Sequence, residues 1–267
     1  MRESYFKSRK GDTMENPEIQ FRTRYQPDYT GMNLTEQPFC QMKDYTGVQH
    51  TYKLDIITPQ LAHASPLPII LFIHGGGFVE PCDKRQAYIS LFARTLTQQG
   101  YAVVSPDYPL FADNVALEKA GGEPAGYQKA ACAVHQACQY IQEQANAFGL
   151  DPDRIAIIGG SAGGWASFYA VAQAPAMYKA FINLWGTPQI LPNVKDFPPV
   201  LSVHGTADIL VPYQREQILQ DGLEQAGGPH HLITLEGSGH TPLDRMQEFL
   251  PALLNWLDTY MKNAKHE

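Results

Sequence analysis

The chain has 267 residues, 44% of them apolar and 18% charged, with a net charge of −7. That composition excludes a disordered chain and supplies one large core. The negative balance argues against nucleic acid as a partner and offers nothing to an anionic membrane.

Met1 to Lys10 is not followed by an apolar run, so no secretory leader is read there. No stretch approaches the ~20 apolar residues of a membrane span. The expected location is the cytoplasm. Cys40, Cys82, Cys132 and Cys138 form no Cys-x-x-Cys pair. They are expected as buried free thiols, with neither disulfide nor zinc. Residues 1–35 are polar, with Pro17, Pro27 and Gly31, and read as an N-terminal arm or partial cap. Residues 36–267 read as one catalytic domain.

Gln37 to Lys43, the turn Asp44-Tyr45-Thr46-Gly47 and the alternating run His50 to Thr58 predict a hairpin at a sheet edge. Pro68 to Ile73 is continuously apolar, a strand buried on both faces. His74-Gly75-Gly76-Gly77-Phe78 follows it. A helix is predicted over Gln86 to Gln99, a strand over Tyr101 to Ser105, and a loop over 110–125. Ala130, Val134, Ala137, Ile141 and Ala145 recur at helical spacing within a helix from Gly126 to Phe148.

Arg154 to Ile158 is a short β-branched strand, and Trp165 to Ala172 a helix. Between them lies Gly159-Gly160-Ser161-Ala162-Gly163-Gly164. A strand that turns at once into a helix needs glycine two residues either side of the serine, and leaves the hydroxyl above the sheet. Gly-x-Ser-x-Gly alone arises by chance in about one chain in ten of this length, so the remaining motifs must carry the argument. Strands follow at Ala180 to Trp185, Pro199 to Val203 and His231 to Leu235, with helices at Pro212 to Ala226 and Thr241 to Lys262. Alternating strands and helices predict a parallel sheet covered on both faces.

In such a sheet, working groups sit beyond the carboxyl ends of the strands. His74 to Gly77, Ser161, Asp208 and His240 each follow a predicted strand. Ser161 would be the nucleophile and His240, in a glycine-bearing loop, the base that takes its proton. Asp208 would fix the imidazole tautomer, with Asp244 the rival carboxylate. Backbone N–H groups of Gly76, Gly77 and Ala162 would receive the oxyanion. Phe78, Tyr108 and Trp185 are the substrate-binding candidates; a core role suits Phe78 and Trp185 at least as well, and Tyr108, with Asp107, could equally anchor a turn. His74 and His204 are expected to bond loop backbone, and His230 and His231 to belong to a strand.

His74-Gly75-Gly76-Gly77, Gly159 to Gly164, His204-Gly205-Thr206-Ala207-Asp208 and Gly239-His240 together resemble the α/β-hydrolase superfamily. The branch they resemble is that of the hormone-sensitive-lipase-like carboxylesterases and bacterial acetylesterases. Gly149 to Ile155 is similar to that branch's approach to the elbow. Gly160 stands where that branch usually has Asp, and Pro109 where it often has Arg. The resemblance spans roughly residues 45–260. It implies an α/β-hydrolase fold, a mostly parallel eight-stranded sheet with helices on both faces and a minimal cap. It also implies a serine carboxylesterase that needs no cofactor. The short segment between Ser161 and Asp208 points to short-acyl, acetyl-like esters of small molecules. A non-catalytic binding protein on the same scaffold and a serine peptidase are the other readings. The sequence leaves open a homodimer.

Overall fold

The computed structural model describes residues 26–61 and 65–262. The arm reading of residues 1–25 lies outside them. The chain opens with β1 (Met32–Lys43) and β2 (Gln49–Pro59), an antiparallel hairpin whose register shifts between Pro38 and Cys40. Residues 32–35, grouped with the arm on sequence, are therefore part of the sheet. Asp44 closes the turn, its Oδ1 accepting from the N–H groups of Thr46 and Val48.

Six parallel strands follow: β3 (Leu67–Ile73), β4 (Ala102–Pro106), β5 (Leu150–Gly160), β6 (Ala180–Leu184), β7 (Val200–Gly205) and β8 (His230–Leu235). Their order across the sheet is β1-β2-β4-β3-β5-β6-β7-β8, with only the β1–β2 and β2–β4 pairs antiparallel. β5 thus lies inside the sheet between β3 and β6.

β3 and the Ile155 to Ile158 stretch of β5 are apolar on both faces because both faces are covered. Ile69, Leu71 and Ile73 of β3 pack with Ile155 and Ile157 of β5 under α3 (Glu123–Gln144), α4 (Ala162–Gln173) and α5 (Tyr213–Ala226). Ile70 and Phe72, with Ala156 and Ile158, pack on the other face under α1 (Ala87–Gln98) and α6 (Met246–Leu257). α1 buries Ile89, Phe92, Ala93 and Leu96, and α6 buries Phe249, Leu253 and Leu257, each at helical spacing. A fully buried side chain of this kind contributes roughly 1.5–3 kcal/mol.

Several boundaries differ from the sequence reading; β5, for one, begins at Leu150 rather than Arg154. The loop over 110–125 holds a short helix, α2 (Asn114–Lys119), capped by Asp113, whose side chain accepts from the Ala116 N–H at 2.7 Å. α3 starts at Glu123 rather than Gly126, with Pro124 in its first turn where a missing N–H costs nothing. The last helix begins at Met246, five residues late, because Thr241 has a φ of +56° and a separate turn spans Leu243–Arg245. None of the four cysteines is in a disulfide; Cys82 and Cys138 are buried, but Cys40 is half-buried and Cys132 exposed, against the expectation of burial for all four. Among the described residues no helix is long and apolar enough to cross a membrane.

Candidate active site

The turn from β5 into α4 is as tight as sequence predicted, and the structure says why. A Cβ on Gly159 would lie 2.5 Å from the Gly163 carbonyl oxygen, and one on Gly163 would lie 2.2 Å from that of Ile73. A Cβ on Gly164 would meet Gly186 at 2.8 Å. Ser161 is left at φ +53° and ψ −124°, a conformation side chains rarely adopt. It persists because hydrogen bonds grip it: its N–H donates to Leu184 O at 3.0 Å, and its carbonyl accepts from Gly164 at 2.8 Å. Ser161 is half-buried at the head of α4.

His240 reaches Ser161 from the loop after β8. Its Nε2 lies 2.9 Å from Ser161 Oγ, and its Nδ1 lies 2.7 Å from Asp208 Oδ2. The carboxylate accepts from Nδ1–H, so Nε2 is bare and faces the hydroxyl proton. The loop is clamped by Arg245, whose Nη1 donates to Glu236 O and Ser238 Oγ at 2.7 and 2.8 Å. It crosses directly over Gly205, where a Cβ would sit 2.3 Å from the Ser238 carbonyl oxygen. Asp244, the rival carboxylate, makes no hydrogen bond to His240 among the described residues.

Asp208 follows β7 and is nearly buried. Its Oδ1 accepts from the N–H groups of Leu210 and Val211, both at 2.9 Å. Burial works against its charge, but His204, His240 and the Val211 N–H outweigh it and hold the carboxyl well below the usual range.

His74 to Phe78, after β3, faces the serine from the other side. Each carbonyl of its first three residues is tied down. His74 O accepts from Tyr108 Oη–H at 2.7 Å. Gly75 O accepts from His74 Nδ1–H and Gln86 Nε2 at 2.9 and 3.1 Å. Gly76 O accepts from the Val79 N–H and the Cys82 thiol at 3.3 and 3.5 Å. Among the described residues, no acceptor lies on the N–H of Gly76, Gly77 or Ala162. The glycines do different jobs: a Cβ on Gly75 would press on Ser161 Cβ at 3.1 Å, and one on Gly76 would strike Cys82 Sγ at 2.0 Å. Gly77 faces open space and is needed for its φ of +66°.

The three substrate-binding candidates lie inside the protein. Tyr108 stacks on His74 at 4.1 Å and holds the glycine loop through its hydroxyl. Phe78, at φ +64° and fully buried, packs against Trp165 and Tyr108 where Gly126 lets α3 pass. Trp185 is 1% exposed, its indole edge-on to Phe249 in the core on the α1–α6 side. His204 bonds loop backbone as expected, its Nε2–H donating to Val211 O at 2.8 Å. Sequence reading passed over Glu216, fully buried behind it. A signal existed: Glu216, Leu219 and Leu223 share one helical stripe, and the other two are core. Among the described residues no group of three or more His, Cys, Asp or Glu is placed to hold a metal.

The family model described as BD-FAE matches residues 54–180. The chain is 31% identical to Gut esterase 1 of Caenorhabditis briggsae over 144 residues, 54% of this chain and 24% of that protein. It spans under a quarter of the length of the curated relatives it first matches. MGS-M1, an alpha/beta hydrolase enzyme from a Medee basin deep-sea metagenome library, superposes with a TM-score of 0.67 at 20% identity, over 87% of this chain and 99% of that one. A truncated carbohydrate esterase from gut microbiota superposes with a TM-score of 0.68 at 20% identity, over 89% of this chain and 99% of that one.

Proposed function

We propose that this chain, which has the α/β-hydrolase fold, is a serine carboxylesterase acting on short-acyl, acetyl-like esters. The observation that carries the reading is the unbroken line Ser161 Oγ, His240, Asp208, with separations of 2.9 and 2.7 Å. The likeness to Gut esterase 1 supports the ester part of it.

In the proposed reaction Ser161 Oγ attacks the acyl carbon while its proton passes to His240 Nε2. The carbonyl oxygen becomes an oxyanion and takes hydrogen bonds from the N–H groups of Gly76, Gly77 and Ala162. These donors are preorganised because the loop's carbonyls are already spoken for, so little reorganisation is needed as charge develops. The tetrahedral adduct collapses, the C–O bond to the alcohol breaks, and His240 Nε2–H returns its proton to the leaving oxygen. Water then repeats the sequence on the acyl-enzyme, giving the acid and free Ser161. Asp208 stays ionised throughout and steadies the imidazolium.

Between Ser161 and Asp208 the described chain holds only α4, a short 3-10 turn, β6, a loop and β7. That compact connection supports short acyl groups over long ones. The test is a series of p-nitrophenyl esters of rising chain length. Turnover should be highest on acetate and butyrate and absent in Ser161→Ala, which should also escape fluorophosphonate labelling. Equal turnover by Ser161→Ala would refute the assignment. A preference for long chains would refute the substrate class alone.

A further inference from the structure

We propose that His204 and Glu216 are positioning residues for Asp208: a second imidazole and a second carboxylate, buried behind the Ser161–His240–Asp208 line, that keep Asp208 ionised and turned toward His240. The proposal rests on the esterase reading for its effect on turnover.

Hydrogen bonding places the first His204 proton, and the facing charge of Glu216 argues for the second. His204 Nε2 must carry one, since its partner at 2.8 Å is the Val211 carbonyl, which can only accept. The same nitrogen lies 3.4 Å from Asp208 Oδ2. On the other side of the ring, Nδ1 lies 3.6 Å from Glu216 Oε2, an ion-pair contact longer than a hydrogen bond. Glu216 is surrounded by donors. Gln220 Nε2 donates to Oε1 at 2.7 Å, and Asn183 Nδ2 donates to Oε2 at 3.1 Å. Thr187 also reaches Oε2; Asn183 Nδ2 donates to Thr187 Oγ1 at 2.9 Å, which leaves the hydroxyl proton free for Glu216. Three donors converge on the two Glu216 oxygens, a setting that suits a carboxylate and leaves no place for a carboxyl proton. A bare Nδ1 pointing at that anion would be repelled, so His204 carries a second proton.

The groups that face His204 are few. Asp208 and the Val211 carbonyl come from the loop after β7, and Glu216 and the edge of Tyr213, at 5.9 Å, come from α5. His240 lies beyond Asp208. The His204, Asp208 and Glu216 side chains are all 0% exposed. Burial works against an imidazolium here, but the two carboxylates outweigh it and push His204 up to about 9. The cluster of two carboxylates and one imidazolium carries a single negative charge, as Asp208 alone would. What it adds is a grip on Oδ2, while the Leu210 and Val211 amides grip Oδ1. Glu216 keeps the imidazolium charged beside an ion that must itself stabilise a second imidazolium.

The test combines the pH dependence of kcat/KM on p-nitrophenyl acetate with the imidazole nitrogen resonances of the histidine-labelled full chain. In the wild type both His204 nitrogens should be protonated through neutral pH, and kcat/KM should fall as that ring loses a proton near 9. Glu216→Gln keeps the shape and removes the charge. It should move the His204 titration and the alkaline fall in kcat/KM together, by at least about one unit, with roughly tenfold lower turnover beyond the new limb and KM nearly unchanged. A purely structural Glu216 would leave the alkaline limb where it was, and that result overturns the proposal. Should Glu216→Gln fail to fold, the wild type decides. A His204 with one bare nitrogen at neutral pH, or an alkaline limb that does not track its titration, overturns the proposal. A doubly protonated His204 in a chain without ester turnover overturns the esterase reading and the catalytic role drawn from it, and leaves the charged pair standing.

Discussion

Replacing Asp208 with Asn separates geometry from charge at the point where the proposed mechanism is most exposed. The amide has one oxygen and one NH2 to place where the carboxylate had two acceptors. Toward Oδ1 stand two backbone donors, Leu210 and Val211 at 2.9 Å each; toward Oδ2 stands one, His240 Nδ1 at 2.7 Å. Turning the NH2 toward the backbone would orphan the buried Val211 N–H, at about 1–3 kcal/mol, and the part-buried Leu210 N–H beside it. Turning it toward His240 costs one bond, and the imidazole can answer by moving its proton to Nε2. His204 Nε2–H, 3.4 Å from Oδ2, adds a donor on the same side and weakens that preference without reversing it. The oxygen therefore stays with the amides, and His240 is forced into the tautomer whose Nε2–H faces Ser161. The base is then occupied. Turnover should drop by about 10⁴-fold, equivalent to about 5.5 kcal/mol of barrier. The assay is kcat/KM for p-nitrophenyl acetate beside a thermal melt. A folded Asp208→Asn enzyme that keeps more than a tenth of wild-type turnover would refute the argument.

Three further outcomes rest on the same packing and hydrogen bonds. Gly163→Ala should prevent the elbow from forming, because its Cβ would lie 2.2 and 2.4 Å from the carbonyl oxygens of Ile73 and His74; a soluble variant with unchanged melting and labelling would contradict this. Trp185→Ala should cost about 3–5 kcal/mol of stability by denaturant titration and leave KM for acetate esters within about twofold, since the indole is enclosed at 1% exposure. A large KM change with little loss of stability would instead assign the indole to the substrate. Stability should also depend on His204. Its folded-state pKa is raised to about 9, so its contribution is fully present below about 6.5 and is lost as pH rises through the folded value, a total of order 3 kcal/mol. Denaturant midpoints should fall across that window in the wild type and fall less in Glu216→Gln; identical slopes would remove His204 from the account.

The sheet was readable in the sequence because burial on both faces leaves an unmistakable mark. Ile69 to Ile73 and Ile155 to Ile158 have no polar member, and only a covered parallel strand tolerates that. Ser161, Asp208 and His240 stood out as candidates for a different reason: each lies within five residues of the carboxyl end of a strand, β5, β7 and β8 in turn. What sequence could not supply was depth. Asn114 to Lys119 reads as loop until Asp113 is seen capping it. Phe78, Tyr108 and Trp185 follow β3, β4 and β6 within a few residues and are buried, a depth that sequence position does not carry. Glu216 looks like a solvated helix charge because its partners, Asn183, Thr187 and His204, come from distant segments that only the sheet order brings together.

The glycines show the limit of motif reading, and also why the proposed site can be dissected by mutation. A Gly-x-Ser-x-Gly match says that small residues flank the serine, but not whether they serve substrate or scaffold. Here the flanking pair serves scaffold. Gly159 and Gly163 are crowded by the Gly163 and Ile73 carbonyls, and Gly164 by Gly186. These are contacts of main chain with main chain, made whether or not a substrate is present. The unfavourable φ of Ser161 costs on the order of 1–3 kcal/mol, held in place by the bonds to Leu184 O and Gly164 N–H. Neither bond involves Asp208 or His240. The position of Ser161 is therefore decided by the backbone of β3, β5, β6 and α4, and in the proposed mechanism its reactivity by side chains from the loops after β7 and β8. Substitutions at Asp208 or His240 should silence Ser161 without moving it. Those at Gly159 or Gly163 should displace it and destabilise the sheet beneath.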